Sequence, residues 1–98
     1  MQEPLWTVHR PGDICWRDWD GLGAVYDDGS GDTHLVDALA IEFLELLSRQ
    51  PLSVAQLLEQ LADAIPVEMD ADTATALFDR QLRGLRDLGL VTTVTATA

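Results

Sequence analysis

Hydrophobic and polar positions follow two different periods along this chain, and the change comes near Asp37. Before this residue, short runs alternate between apolar and polar side chains, which is the period of a β-strand. The runs predict strands at 5–8, 14–19, 22–26 and 33–36, joined by turns rich in Gly and Asp. We therefore expect the first part of the chain to form a small antiparallel meander.

After this point, apolar residues recur at every third or fourth position, which is the period of an α-helix. A first helix is predicted over 37–50, with Asp37 as its cap and a proline directly after it. Ser53 and Gln56 fit a capping box, in which each side chain accepts a hydrogen bond from the other residue's backbone N–H. This box predicts a second helix that runs up to the proline at position 66.

The third helix has the best marked end. Either Asp70 or Asp72 caps its start. Gly89 suits the left-handed position after the helix, and Leu90 can then pack on Leu85, as in a Schellman motif. The residues that follow are β-prone and predict a returning strand or wing. The apolar face of this helix is predicted to consist of Ala74, Leu77, Phe78, Leu82, Leu85 and Leu88.

These elements predict an α+β fold, in which a small antiparallel three-stranded sheet is followed by three helices in winged-helix-like order. The 98 residues suffice for one domain, and no linker divides them, so residues 1–98 are expected to share one core. Leu35 is a further candidate for the core. The predicted core positions are Trp16, Val25, Leu39, Phe43, Leu47, Leu57, Leu61, Phe78, Leu82, Leu85 and Leu90.

The net negative charge of the chain disfavours some classes of binding partner. The sequence has 17 acidic residues against six arginines and no lysine, and its net charge is −11. Nucleic acids and anionic membranes both attract clustered cations, so we expect neither as a partner. No apolar run approaches the roughly 20 residues of a membrane-spanning helix. The start of the chain lacks the pattern of a signal peptide, and the single cysteine forms no intrachain disulfide, so we expect a cytoplasmic protein.

The inventory of reactive side chains is short. There are two histidines, His9 and His34, and one cysteine, and the nucleotide-binding, metalloprotease and paired-cysteine motifs are absent from the sequence. We therefore expect no catalytic residue, no cofactor and no metal. His34 stands between Asp32 and Asp37, but side chains this close along a strand point in different directions. Cys15 is expected to pack as a small apolar residue.

Three segments of the chain resemble the PqqD-like peptide chaperones. They are the runs 16–20, 25–27 and 30–36, which read WRDWD, VYD and SGDTHLV. Within that family, the sequence is most similar to the branch associated with an HPr-kinase-related protein, the HPr-rel-A system. The helical patterns at 43–47, 53–61 and 82–91 fit the rest of the domain, so the resemblance covers about residues 4–94.

The resemblance implies a recognition element for ribosomally made peptides that are later modified. A leader segment of the precursor would add as a strand beside 33–36 and lie against the third helix, before a modifying enzyme or an HPr-kinase-related protein acts on it. Nothing in the chain points to the precursor of pyrroloquinoline quinone, so only the binding mode is carried over. The candidate peptide-binding residues are Thr33, His34, Leu35, Val36, Phe78, Arg80, Gln81 and Leu85.

Several alternatives stay open at this stage. Arg80, Arg83 and Arg86 either meet an acidic leader or pair along the helix with Asp79 and Asp87. The strand edge at 33–36 can pair with a second copy of the chain, which would make the domain a structural or dimerisation module. A winged-helix order also allows DNA binding, which the negative charge disfavours. Two tryptophans on opposite faces of the second strand leave one available to a partner surface.

Overall fold

The computed structural model describes residues 4–19 and 22–94, and it shows a small α+β fold with three helices. Trp19, at the end of the second strand, is described by its backbone only. Its elements, in chain order, are β1 (Leu5–Val8), β2 (Ile14–Trp19), β3 (Leu22–Asp27), β4 (Asp32–Asp37), α1 (Ala38–Arg49), α2 (Val54–Gln60), α3 (Ala71–Asp87) and β5 (Val91–Val94). Single turns of 3₁₀ helix occur at Pro11–Asp13 and Ala62–Ala64. The predicted α+β class, the predicted strands and the first and third helices are confirmed.

The sheet is a three-stranded antiparallel meander with the order β2-β3-β4. Val25, in the central strand, is paired with Trp16 on one side and with His34 on the other. Trp16, Val25 and His34, together with every second residue from them along each strand, face the helices. The alternate residues face the opposite side. We call the helix-facing side the inner face and the opposite side the outer face.

The first strand does not belong to this sheet, although the sequence predicted one continuous meander. β1 pairs instead with β5, from Leu5 with Val94 to Val8 with Val91, and Trp6 forms a further bridge with Leu52. Arg10 adopts a left-handed conformation with φ 52° just before the 3₁₀ turn, and this redirects the chain between β1 and β2. The two sheets are therefore separate, and both contribute to one core.

Helix α1 packs against the inner face of the sheet at a very short separation. A Cβ atom on Gly23 would collide with the side chain of Ile41, so the glycine permits this approach. Phe43 of α1 is fully buried and meets Phe78 of α3 edge-on, with ring centroids 4.9 Å apart. Nine of the predicted core residues are buried, whereas Trp16 and Leu39 are half-buried at the margin.

The end of α3 has the predicted Schellman geometry. The Leu90 N–H donates to the Leu85 carbonyl at 3.0 Å, and the Gly89 N–H donates to the Arg86 carbonyl at 2.9 Å. Gly89 has φ 82°, a conformation that favours glycine. At the other end, Asp70 is the cap, since its carboxylate accepts from the Thr73 N–H at 2.7 Å.

Helix α2 begins as predicted but is shorter. Both bonds of the capping box between Ser53 and Gln56 are present. The helix ends at Gln60, and the chain then continues through bonds that span only three residues, such as the one from the Ala64 N–H to the Leu61 carbonyl. The prediction of one helix up to the proline was wrong because a tighter 3₁₀ turn replaces its last part.

Candidate functional site

Strand β4 lies at one edge of the three-stranded sheet. Within the described residues it pairs with β3 alone, so its other edge keeps free backbone N–H and C=O groups. Such an edge can pair with an added strand. The helix α3 borders it, so an incoming peptide would meet side chains of the helix as well as the backbone of the strand.

The space between the two elements is a shallow groove of about 220 Å³, which we call the β4–α3 groove. Its buried members are Ala40 and Leu85, and its exposed apolar members are Leu35 and Leu88. The helix contributes residues at spacings of three and four, which lie along one stripe. The lining residues are Leu35, Val36, Asp37, Ala40, Gln81, Gly84, Leu85 and Leu88.

A hydrogen bond connects the two sides of this groove. Gln81 donates through Nε2 to Oδ2 of Asp37 at 2.8 Å, and Oδ1 of the same carboxylate accepts from the Ala40 N–H at 2.9 Å. Asp37 is at once the last residue of β4, the cap of α1 and the partner of α3. The Asp37 side chain therefore links the helix to the end of the strand, in addition to the core packing of α3.

Four members of the groove were not among the predicted peptide-binding residues, namely Asp37, Ala40, Leu88 and Gly84, and of these Gly84 alone has no side chain. It lies in the interior of α3, where glycine costs roughly 1 kcal/mol relative to alanine. A Cβ at this position would meet nothing within 4 Å, so packing inside the domain does not require the glycine. An isolated glycine inside a predicted helix was the signal available in the sequence. Its absent side chain leaves room for a partner's backbone beside β4.

The structure brings half of the predicted peptide-binding residues together. Leu35, Val36, Gln81 and Leu85 all line the β4–α3 groove. Leu35 is 73% exposed, so its expected place in the core was wrong: it lies on the outer face of the sheet, which no described helix covers.

The other four predicted residues lie outside the lining. Thr33 and His34 belong to β4 without lining the groove, and they would meet an added strand through their backbone. Phe78 is 2% exposed and packs in the core, so the structure contradicts its side chain as a peptide contact. Arg80 is exposed on α3 and does not line the groove.

The three arginines of α3 differ in their surroundings. Arg83 pairs with Asp79 one turn earlier, with Nε and Oδ2 2.7 Å apart. Arg86 lies 5.8 Å from the ring centroid of Trp6, at the distance of a cation–π contact. Within the described chain, Arg80 makes no ion pair. The sequence left open whether these arginines pair with aspartates along the helix. The structure shows such a pair between Arg83 and Asp79.

Two other polar side chains of the sheet, those of His34 and Asp27, have buried atoms. His34 faces inward, and its Nε2 is buried without a hydrogen-bond partner among the described residues. Asp27 is 2% exposed, but its carboxylate receives Arg10 Nη2 at 2.9 Å and the Gly29 N–H at 2.9 Å. Across residues 4–19 and 22–94, no three His, Cys, Asp or Glu side chains form a metal-binding group.

The pKa of Asp27 reflects opposing effects. Burial raises it, but hydrogen bonds from Gly29 and Ser30 and the charge of Arg10 outweigh burial, so the pKa lies below its ordinary value of 3.8. This carboxylate is fully engaged in holding the β3–β4 turn to Arg10. It therefore serves the fold rather than a ligand.

The outer face of the sheet carries exposed apolar side chains. Leu22 and Tyr26 of β3 are 54% and 44% exposed, and Leu35 of β4 lies beside them. Cys15 of β2 faces the same side and is exposed, which contradicts its expected packing. Strand alternation places it on this face, and no described helix covers the face.

On α3, Leu77 and Leu88 are likewise 41% exposed, although the apolar stripe predicted them to be buried.

Comparisons with known proteins add no relative. No protein-family model matches the sequence, and neither a curated protein nor a solved structure is detectably similar to it. The resemblance to the PqqD-like peptide chaperones therefore stays a prediction. In the part of the chain that the structure describes, no helix is both long and apolar enough to cross a membrane.

Proposed function

We propose that this protein is a peptide-binding chaperone, which captures the leader segment of a ribosomally made precursor by strand addition to β4. The observation that supports the proposal most directly is the β4–α3 groove, where an unpaired strand edge faces the side-chain-free position of Gly84. An added strand needs backbone partners on one side and space on the other. The groove offers both.

The energetics require the groove as well as the edge. Each backbone hydrogen bond contributes about 0.5–1.5 kcal/mol net, and ordering a flexible peptide opposes binding. Four or five such bonds fall short of the roughly 8 kcal/mol of micromolar affinity. Contacts of the peptide with Leu35, Val36 and Leu88 supply apolar burial that makes up the difference.

The domain is not an enzyme: it presents the bound leader to a modifying enzyme or an HPr-kinase-related protein, and it acts in the cytoplasm. The sparse set of reactive side chains and the single cysteine support this assignment. Arg80 would also attract an acidic leader, because it is exposed on α3 and has no ion-pair partner in residues 4–19 and 22–94.

The test is calorimetric titration of the full chain with candidate leader peptides, chosen from short reading frames near its gene. Gly84→Trp fills the β4–α3 groove and should weaken binding at least tenfold. Ala76→Trp is the matched control, because it places the same side chain at an exposed position of the same helix outside this groove. Equal loss of affinity in both variants, or no loss in either, would place the peptide elsewhere.

Proline probes test the strand edge itself. In an antiparallel ladder, neighbouring residues alternate between bonding the partner strand and pointing outward. One of His34→Pro and Leu35→Pro therefore spares the β3–β4 ladder while it removes an outward N–H. Circular dichroism identifies the variant that folds, and that variant should bind the peptide more weakly. Arg80→Glu should weaken binding of an acidic leader more at low salt than at high salt.

The same edge can pair with a second copy of the chain, and this is the alternative that the titration distinguishes. Light scattering gives the mass with and without peptide. A dimer that the peptide does not dissociate, together with unchanged peptide binding in Gly84→Trp and in the folded proline variant, would make dimerisation the function of this edge.

A further inference from the structure

A second groove lies on the opposite side of the first turn of α1. It has a volume of about 530 Å³, within the range of sites that hold ligands, and we call it the α1–α2 groove. Its apolar members come from α1, from Leu61 directly after α2, and from the following 3₁₀ turn. The lining residues are Ala38, Leu39, Glu42, Gln60, Leu61, Asp63 and Ala64.

The walls of this groove are acidic. Glu42 of α1 stands on one wall and Asp63 of the 3₁₀ turn on the other, and both are exposed. In residues 4–19 and 22–94, neither carboxylate takes part in an ion pair or a side-chain hydrogen bond. None of the six arginines lines the groove. The negative charge at this site is therefore not compensated within the described chain.

Two other grooves in the described part of the chain differ in this respect. In the β4–α3 groove, the carboxylate of Asp37 accepts hydrogen bonds from Ala40 and Gln81. A groove beside Trp6 also contains carboxylates, but Asp79 is paired there with Arg83. Only the α1–α2 groove, among these three, combines an apolar floor with two unpaired carboxylates on facing walls.

We infer that the α1–α2 groove binds a basic, apolar-anchored segment of a partner protein, with leucine-like side chains on Leu39 and Leu61 and arginine or lysine beside Glu42 and Asp63. Long basic side chains suit such a site, since their alkyl stems cover apolar surface while the charged ends reach carboxylates. The net charge of −11 favours the approach of a basic partner from a distance. This inference does not depend on the peptide-binding role of β4.

The test uses fluorescence anisotropy of the full chain with a labelled amphipathic helical peptide that carries leucine on one face and arginine on its flanks. The Glu42→Gln/Asp63→Asn double variant should weaken binding about fivefold or more. The Glu45→Gln/Glu59→Gln variant is the matched control, because it removes two charges from exposed positions of α1 and α2 outside the groove. Its affinity should stay within about twofold of the original chain.

Two further measurements separate the groove from general charge attraction. Ala64→Trp adds bulk to an exposed lining position and should abolish binding without removing a charge. A peptide in which alanine replaces the leucines should bind at least tenfold more weakly. Equal weakening in the two double variants, tight binding to Ala64→Trp with an unchanged melting temperature, or no binding of the leucine and arginine peptide to the original chain would overturn the inference.

Discussion

Gln81 and Asp37 are 44 residues apart in the sequence and are joined by a 2.8 Å hydrogen bond across the β4–α3 groove. The sequence places Gln81 off the apolar stripe of α3, which would make it a neutral surface position. The structure shows instead that its side chain holds the helix to the point where β4 becomes α1. A change at this residue therefore affects the width of the groove as well as the surface.

The first prediction concerns this bond. Gln81→Ala removes it and should lower the free energy of unfolding by about 1 kcal/mol. Gln81→Glu also places a second carboxylate beside Asp37, so it should destabilise the domain further, and salt should reduce the additional loss. Urea denaturation at low and high salt measures both. A Gln81→Glu variant as stable as the original chain would mean that the bond does not form in solution.

The second prediction concerns the aromatic centre of the core. Phe43 is fully buried against Phe78, so Phe43→Ala should cost about 3–5 kcal/mol, a large part of the stability of a domain this small. Val67→Ala is the control, because Val67 is 99% exposed and should tolerate the change. Thermal unfolding compares the two variants. A melting temperature that Phe43→Ala leaves unchanged would refute the core assignment.

The third prediction is a pH dependence. The pKa of Asp27 in the folded chain lies below its ordinary value of 3.8, so the charged form stabilises the fold at neutral pH. That contribution is fully present above the unfolded pKa, and it is lost as the pH falls below 3.8 toward the folded pKa. Asp27→Asn removes the charge at every pH.

The original chain should therefore be more stable than Asp27→Asn at pH 7, and the difference should shrink in acid. Chemical denaturation across this range measures it. The lowered pKa of Asp70, held by Thr73, is common to both chains and cancels in the comparison. A constant difference between the two chains at all pH values would contradict the role of Asp27.

The fourth prediction compares two glycines, Gly84 inside α3 and Gly89 just after its end. Gly89 has φ 82°, so Gly89→Ala should destabilise the domain by about 1 kcal/mol. Gly84 has helical backbone and open space around it, so Gly84→Ala should stabilise the domain by about 0.5–1 kcal/mol. Urea denaturation decides between these signs. Destabilisation by Gly84→Ala would show that the glycine serves the fold and not a ligand.

Sequence patterns identify local structure well in this chain and long-range contacts less well. The capping box of Ser53 and the Schellman motif at Gly89 depend on neighbouring residues, and both form as predicted. The pairing of β1 with β5 depends on competition between distant strands, which periodicity does not record. The prediction that Leu35 is buried was wrong for the same reason. Alternation separates the two faces of a strand, but it does not show which face a helix covers.

At the candidate site, too, the local elements were predicted correctly and some of the side-chain positions were not. The strand 33–36 and the helix beside it were both identified, and Leu35, Val36, Gln81 and Leu85 do share a groove. Phe78 and Leu85 are both buried in the core, but only Leu85 also lines the groove, because the position of Phe78 on the helix turns it toward Phe43. Helical periodicity alone does not separate the buried centre of an apolar stripe from its edge.

The partnership of Leu5 with Val94 brings the two ends of the described chain to the same place. A short linker can therefore join them, and a new opening can be cut at Val67, which is 99% exposed between α2 and α3. In this circular permutant, the residues of both grooves keep their spatial neighbours, although their order along the chain changes. The free edge of β4 therefore does not depend on the point at which the chain is opened.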